Sequence, residues 1–467
     1  MKKIISLALL FALVSVLAPV TPVRAQKIKT VIRPLLPICT LEELPMPGAD
    51  VGAKINACDR LLGAVPGGEI HAWQGGEITS VVKLSRGRTL HFHKATYTLR
   101  HAADGLDAEL GMVRYNDGVT IKGDGWGTVI IEPQTTNSPT VFAPLISSII
   151  TEGGYFHGVT RNVTIRDLQI KGRQTVASNG TYSTIEIGNS HDMLVENVFL
   201  NQTTGNGITA GGSSLSFSFD GCGGGKIERE CAAGVRMIGN RLFQVQNQGL
   251  NVVNGREVLI ANNVVKDHNR LPGSNGAGVD VETNTVTDTA QLIRIEQNLF
   301  DFSNSPQPSA GNGINIQSSG QGDEYGPVYV ERNILIGGAL APDVAGHMVF
   351  GIFVSAGTRR VTVAGNKIQR TSNSGIIVYG SGHTVQENEL VSVGDRAGNV
   401  AVALVGTQRI GVSRNKVKID TGAQTASDLI AESAGANFNL IEGNTSNSPP
   451  VLVGASSRSE GHKRWPE

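Results

Sequence analysis

The chain has 467 residues, with lysine plus arginine balanced against aspartate plus glutamate at 40 each. Zero formal net charge leaves no global field to attract nucleic acid or an anionic membrane, so any polyanionic partner must be held locally. The 58 glycines and 5% aromatic content suit many short strands joined by tight turns, and a solenoid absorbs this length as one domain.

The first predicted element is a secretory signal over 1–25. Lys2 and Lys3 form its basic region, Ile4 to Leu17 its apolar run and Val23-Arg24-Ala25 its cleavage site. That run is too short to span a bilayer, and no later stretch is long and apolar enough. The mature chain is therefore expected to start at Gln26 and to be secreted or periplasmic, without membrane insertion.

Export favours disulfides, and the four cysteines fall into two local pairs, Cys39 with Cys58 and Cys222 with Cys231. The first would tie an N-terminal arm to a helix and the second would close the loop GCGGGKIEREC, each adding about 3 kcal/mol in the chain-entropy model. Neither pair has the CxxC spacing of a metal site. Over Gly52 to Ala64, Ile55, Cys58 and Leu62 recur at helical spacing. Strands follow around Glu69 to Trp73 and Thr89 to Leu99. His91 and His93 share a face beside the strand of His71, and these are residue types that hold metals; the sequence alone assigns no metal there.

One short phrase then recurs as VENVFL, IGNRLF, ANNVVK, EQNLFD, ERNILI, AGNKIQ, QENELV, SRNKVK and EGNTSN. Its asparagines are Asn197, Asn240, Asn263, Asn298, Asn333, Asn366, Asn388, Asn415 and Asn444, spaced by 43, 23, 35, 35, 33, 22, 27 and 29. A period with a floor near 22 and variable insertions is the behaviour of a coil with one variable loop. Each asparagine sits between two short runs in which valine and isoleucine fall at every second position, so two strands meet at a bend there. Asparagine tolerates the left-handed backbone of a sharp bend and its amide can bond the equivalent residue one coil away, which predicts an asparagine ladder.

A second phrase follows each ladder residue: NGITAGG, QGLNVVNG, AGVDVETN, NGINIQSS, FGIFVSAG and SGIIVYGS. It reads as another strand, with Ile208, Leu250, Val279, Ile314, Ile352 and Ile376 stacked inside. Together with Val119-Thr-Ile-Lys-Gly-Asp-Gly-Trp126-Gly-Thr-Val-Ile130, the stacked VxIxxN and GIxI phrases resemble the pectate-lyase-like superfamily over roughly residues 48 to 450. The resemblance implies an all-β fold, a right-handed parallel β-helix with a short N-terminal capping helix. The expected organisation is an arm and capping helix over 26–65, the β-helix over 66–453 and a disordered tail over 454–467. The superfamily spans lyases, hydrolases, alginate-processing enzymes and phage tailspikes, and the signal disfavours the last.

Strand alternation sorts the GIxI phrases into faces. The outward column reads Glu186, Thr209, Asn251, Asp280, Asn315, Phe353 and Ile377, and the column two residues on reads Val253, Glu282, Gln317, Ser355 and Tyr379. The polar middle and aromatic end suit an elongated sugar chain. Asp280 and Glu282, about 7 Å apart on one face, have the separation of an inverting glycosidase pair, and the same carboxylates are possible calcium ligands. Lys266, His268 and Arg270 precede that strand in a loop expected to overhang Asp280; His268 could be the base and Arg270 the cation of a β-elimination on a uronate. His347 is a second candidate base.

No GHG, RIK, WxDH, RxPxxR or DPH signature is present, so no family's catalytic residues carry over. The expected function is cleavage of an acidic polysaccharide, with elimination slightly ahead of hydrolysis by Asp280 and Glu282. The rival is a non-catalytic, adhesin-like glycan-binding solenoid.

Overall fold

The computed structural model describes residues 37–64, 67–100, 112–132, 145–147, 160–172, 183–188, 190–211, 231–268, 276–284, 288–305, 311–318, 324–338, 348–393, 400–418, 428–433, 436–446, 457–460 and 463–464. The expected signal lies outside them. Within Pro37–Glu467 the chain winds as a right-handed parallel β-helix whose coils contribute to four parallel sheets of 15, 14, 12 and 6 strands. No described helix is long and apolar enough to cross a membrane.

A representative coil shows how sequence becomes shape. Ile293–Glu296 runs along the incoming sheet, the chain bends at Asn298, and Leu299–Asp301 runs along the outgoing sheet. Asn312–Gln317 then forms a strand of the GIxI sheet, and Glu324–Tyr325 leads back to Val328–Glu331 in the next coil. Ile295, Phe300, Ile314 and Ile316 from three walls all point inside and are fully buried. Burial at about 1.5 to 3 kcal/mol per side chain is shared between neighbouring coils, so each coil depends on the next.

The GIxI strands stack in register through Ile185, Ile208, Leu250, Val279, Ile314, Ile352, Ile376, Val402 and Ile430. The glycine of the phrase is a steric requirement. A Cβ on Gly278 would meet the Phe300 ring at 2.4 Å, and one on Gly313 would meet Leu335 at 2.3 Å, because large side chains of the outgoing sheet fill the corner.

The asparagine ladder exists, with two amendments. It runs through Asn240, Asn263, Asn298, Asn333, Asn366, Asn388, Asn415 and Asn444, each Nδ2 donating to the next Oδ1 at 2.9 to 3.0 Å. Asn197 is not a rung: it lies one position early, its amide donates to Asp167 at 2.7 Å, and the next residue, Val198, donates its backbone N–H to Asn240. The left-handed backbone also falls one residue before each rung, at Gly239, Asn262, Gln297, Arg332, Gly365, Glu387, Arg414 and Gly443. The rung asparagine is thus chosen for its amide and the residue ahead of it carries the bend, at a cost of about 1 to 2 kcal/mol where it is not glycine.

At the N-terminal end, helix Val51–Leu62 buries Gly52, Ile55 and Cys58 against the first coil. Asp50 caps it through Gly52 and Ala53 while also accepting from the backbone of Thr79 and Ser80, so one carboxylate fixes the helix to the coil. Cys39 and Cys58 form the expected disulfide. Cys231 is buried and disulfide-bonded, and Cys222 lies outside the described residues. The tail, expected to be disordered, instead adds strands: Arg458–Glu460 pairs with Leu440–Glu442, and Lys463–Arg464 with Thr445–Ser446. Backbone pairing on an open sheet edge needs no apolar period, which is why the hydrophobic pattern did not reveal it.

Candidate functional site

The GIxI sheet carries one polar column whose registers join Glu186 to Thr209, Asn251, Asp280, Asn315 and Phe353 in consecutive coils. At about 4.8 Å per step the column spans about 24 Å. Glu282 and Gln317 pair in the adjacent column. Toward the C-terminal end Phe353 lies between Phe350 and Tyr379, with ring centroids 5.9 and 5.8 Å away.

These residues point away from the core, yet Glu186, Thr209, Asn251, Asp280 and Asn315 are all buried, Asp280 to 2% exposure. Asp280 was expected at the surface. Carboxamides from the neighbouring coils cover it: Gln317 donates to Oδ1 at 3.0 Å from the coil above, and Gln248 donates to Oδ2 from the coil below. Glu282, Gln317 and Tyr379 are half-buried, so solvent reaches the column from their side.

Burial dominates the electrostatics. It pushes the Asp280 carboxyl well above the carboxylate range, with the Glu282 charge adding to the rise, and it also raises Glu282. Desolvation raises Glu186 to about 8 and Glu132 to about 7, the latter despite bonds from Thr184 and the Thr204 backbone. Glu186 Oε1 and Asn251 Oδ1 are buried without a partner. A row of neutralised acids with unpaired polar atoms is costly to a fold and useful to a ligand. Amide donors from Gln317 and Gln248 engage both Asp280 oxygens, so a calcium ion there would have to displace them.

Two of the cationic candidates stand elsewhere. Lys266 belongs to the outgoing sheet, in register with Asp301 and 3.2 Å from its carboxylate. His268 is fully buried against Phe302, centroids 4.2 Å apart, with neither ring nitrogen bonded and its pKa lowered by desolvation to about 3. It packs as an apolar ring and does not overhang Asp280. Arg270 and His347 lie outside the described residues. Sequence reasoning missed Gln248, although Asn206, Gln248 and Asn312 are polar residues directly before phrase glycines; in the phrase of Asp280 that place is taken by Ala277. It also missed Glu132, which lies outside both phrases.

No family model matches this chain, and no curated protein matches it. Among solved structures it is similar to the A-module of the Azotobacter vinelandii mannuronan C-5 epimerase AlgE6, at 17% identity and TM-score 0.60, covering 92% of this chain and 99% of that one. It is also similar to the catalytic unit of a GH87 α-1,3-glucanase from Streptomyces thermodiastaticus, at 15% identity and TM-score 0.58, covering 93% of this chain and 71% of that one. A third likeness is to DFA-IIIase from Arthrobacter chlorophenolicus without its lid, at 13% identity and TM-score 0.57, covering 90% of this chain and 98% of that one. At these identities the likeness is one of fold.

Proposed function

We propose that this protein is a carbohydrate-active enzyme that cleaves a glycosidic bond of a polysaccharide bound along the GIxI sheet, with Asp280 as general acid and Glu282 as the partner that activates water. The observation that carries this reading is the Asp280–Glu282 pair itself: two carboxyls on one stiff strand, both raised by burial and Asp280 the more strongly. An acid held neutral donates a proton to the leaving oxygen, and the less perturbed neighbour ionises first and serves as base. Strand geometry separates the two by about 7 Å, which suits inversion. Asn251 and Asn315 flank Asp280 in register, where their amides would bond sugar hydroxyls, and Phe353 offers a ring for stacking.

The similar structures are a mannuronan epimerase, an α-1,3-glucanase and a DFA-IIIase, which supports a saccharide ligand. Elimination, slightly ahead on sequence, is left without His268 as a base, because that ring is fully buried against Phe302.

The test is incubation of the mature chain with alginate, pectate, glycosaminoglycans and α-1,3-glucan, following reducing ends and unsaturated-uronate absorbance together. Reducing ends rising alone is the expected result. A parallel rise in unsaturated uronate would make the reaction an elimination, and silence with glycan binding retained would leave a binding solenoid.

A further inference from the structure

On the incoming sheet, at the opposite end of the molecule from the aromatic cluster, the first coils bring His71, His91 and His93 together. His71 and His91 are direct register partners on adjacent strands, and one nitrogen from each of the three rings lies within 4.8 Å of one from each of the others. The far side of every ring is held by a carboxylate. His71 Nε2 is 3.1 Å from Glu69, His91 Nε2 is 2.7 Å from Asp124 Oδ1, and His93 Nδ1 is 3.0 Å from Asp124 Oδ2.

That bonding decides where the ring protons are. A carboxylate only accepts, so each neutral imidazole turns its one N–H outward to Glu69 or Asp124. The lone pairs are then left on His71 Nδ1, His93 Nε2 and His91 Nδ1. The first two face each other at 2.9 Å and the third is buried with no partner. Two lone pairs at that distance repel unless they share a proton or a metal cation. Trp73 lies flat on His93 at 3.4 Å and 3°, shielding one side of the group.

We propose that His71, His91 and His93 bind a zinc ion, with Glu69 and Asp124 as the positioning carboxylates behind them. Three neutral imidazole nitrogens form a borderline ligand set that suits zinc and not the hard cations calcium or magnesium. Zinc–nitrogen bonds of about 2.0 to 2.1 Å require only a small opening of the His71–His93 pair. A carboxylate on the remote nitrogen of each ligating ring fixes its tautomer and raises its basicity. His71 and His91 come from strands Glu69–Ala72 and Thr89–Phe92, His93 directly follows the second, and Asp124 follows strand Thr120–Gly123 of the next coil. Zinc would therefore staple consecutive coils beside the capped end.

Untagged mature protein, stripped with a chelator, is titrated with zinc against a chromophoric competitor and separately with cobalt, whose visible bands report tetrahedral nitrogen coordination. The expected result is one equivalent of zinc, a tetrahedral cobalt spectrum and a higher thermal midpoint with metal present. His91→Ala should abolish stoichiometric binding. Asp124→Asn, which keeps all three imidazoles and guards against a folding failure, should weaken it about 10- to 100-fold. Absence of a tetrahedral cobalt spectrum in the wild-type protein, or zinc retention unchanged in both variants, would overturn the site.

Discussion

Two rows of buried polar side chains run along this solenoid and are built on opposite terms. In the asparagine ladder the interior rungs are alike and each uses both its amide hydrogens and its oxygen. Asn298 donates to the Ile260 carbonyl and to Asn333 at 2.9 Å each, and accepts from both the backbone and the amide of Asn263. In the GIxI column each residue differs from its neighbours, the Glu186 and Asp280 carboxyls are raised by burial, and Glu186 Oε1 and Asn251 Oδ1 go unpaired. The same fold therefore spends buried polar groups in two ways. Repetition with full satisfaction makes a scaffold; variation with unmet bonds makes a place for something else to bind.

The sharpest way to break this contrast is to cut a rung. Asn298→Ala leaves the Asn263 donors and the Ile260 carbonyl buried without partners, and should destabilise by more than about 3 kcal/mol in denaturant unfolding; a loss near zero would mean the ladder is ornamental. The next effect is pH-dependent. Glu186 is raised to about 8 in the folded chain, so its neutral form is favoured by folding. That contribution is fully present below the ordinary carboxyl value and is lost as pH rises through about 8. Glu186→Gln should flatten the fall in unfolding midpoint over that window and change little at acid pH.

His268 has the reverse sign. Its folded value is lowered to about 3, so the stability it contributes is present above the ordinary histidine value and is lost as pH falls toward about 3. His268→Leu should remove that acid-side loss and, since both ring nitrogens are buried without partners, should not destabilise at neutral pH. The smallest effect is expected at Asn251→Val, under about 1 kcal/mol, because one of its polar atoms already lacks a partner. Loss of sugar binding with stability kept would sharpen the distinction between the two rows.

What was legible in the sequence follows from periodicity. Alternation at two, a repeated asparagine and a repeated glycine were enough for the coil, the ladder and the facing of Asp280. Asn197 deceived because VENVFL has the spelling of a rung phrase, while its asparagine occupies the left-handed position that glycine, arginine, Asn262, Gln297 or Glu387 fills elsewhere. Alternation gives the direction of a side chain and says nothing of what covers it. The cover over Asp280 comes from Gln248 and Gln317, 32 and 37 residues away, and no local pattern links them. His268 lay past the end of its strand, where the period stops and its direction was not readable. The histidine group was visible as residue types on one face, but Asp124, which holds two of the rings, comes from another coil.

The most direct test of the GIxI column as a site is Asp280→Asn, read for turnover and for stability in one preparation. Asparagine keeps one acceptor oxygen, and one of the flanking carboxamides must turn its carbonyl toward the new NH2, so stability at neutral pH should fall by no more than about 1 kcal/mol. Turnover on whichever polysaccharide the wild type cleaves should fall about 10²- to 10⁴-fold, as removal of a general acid does. Turnover that survives the change, or falls only in step with the midpoint, would contradict the assignment and return Asp280 to the scaffold.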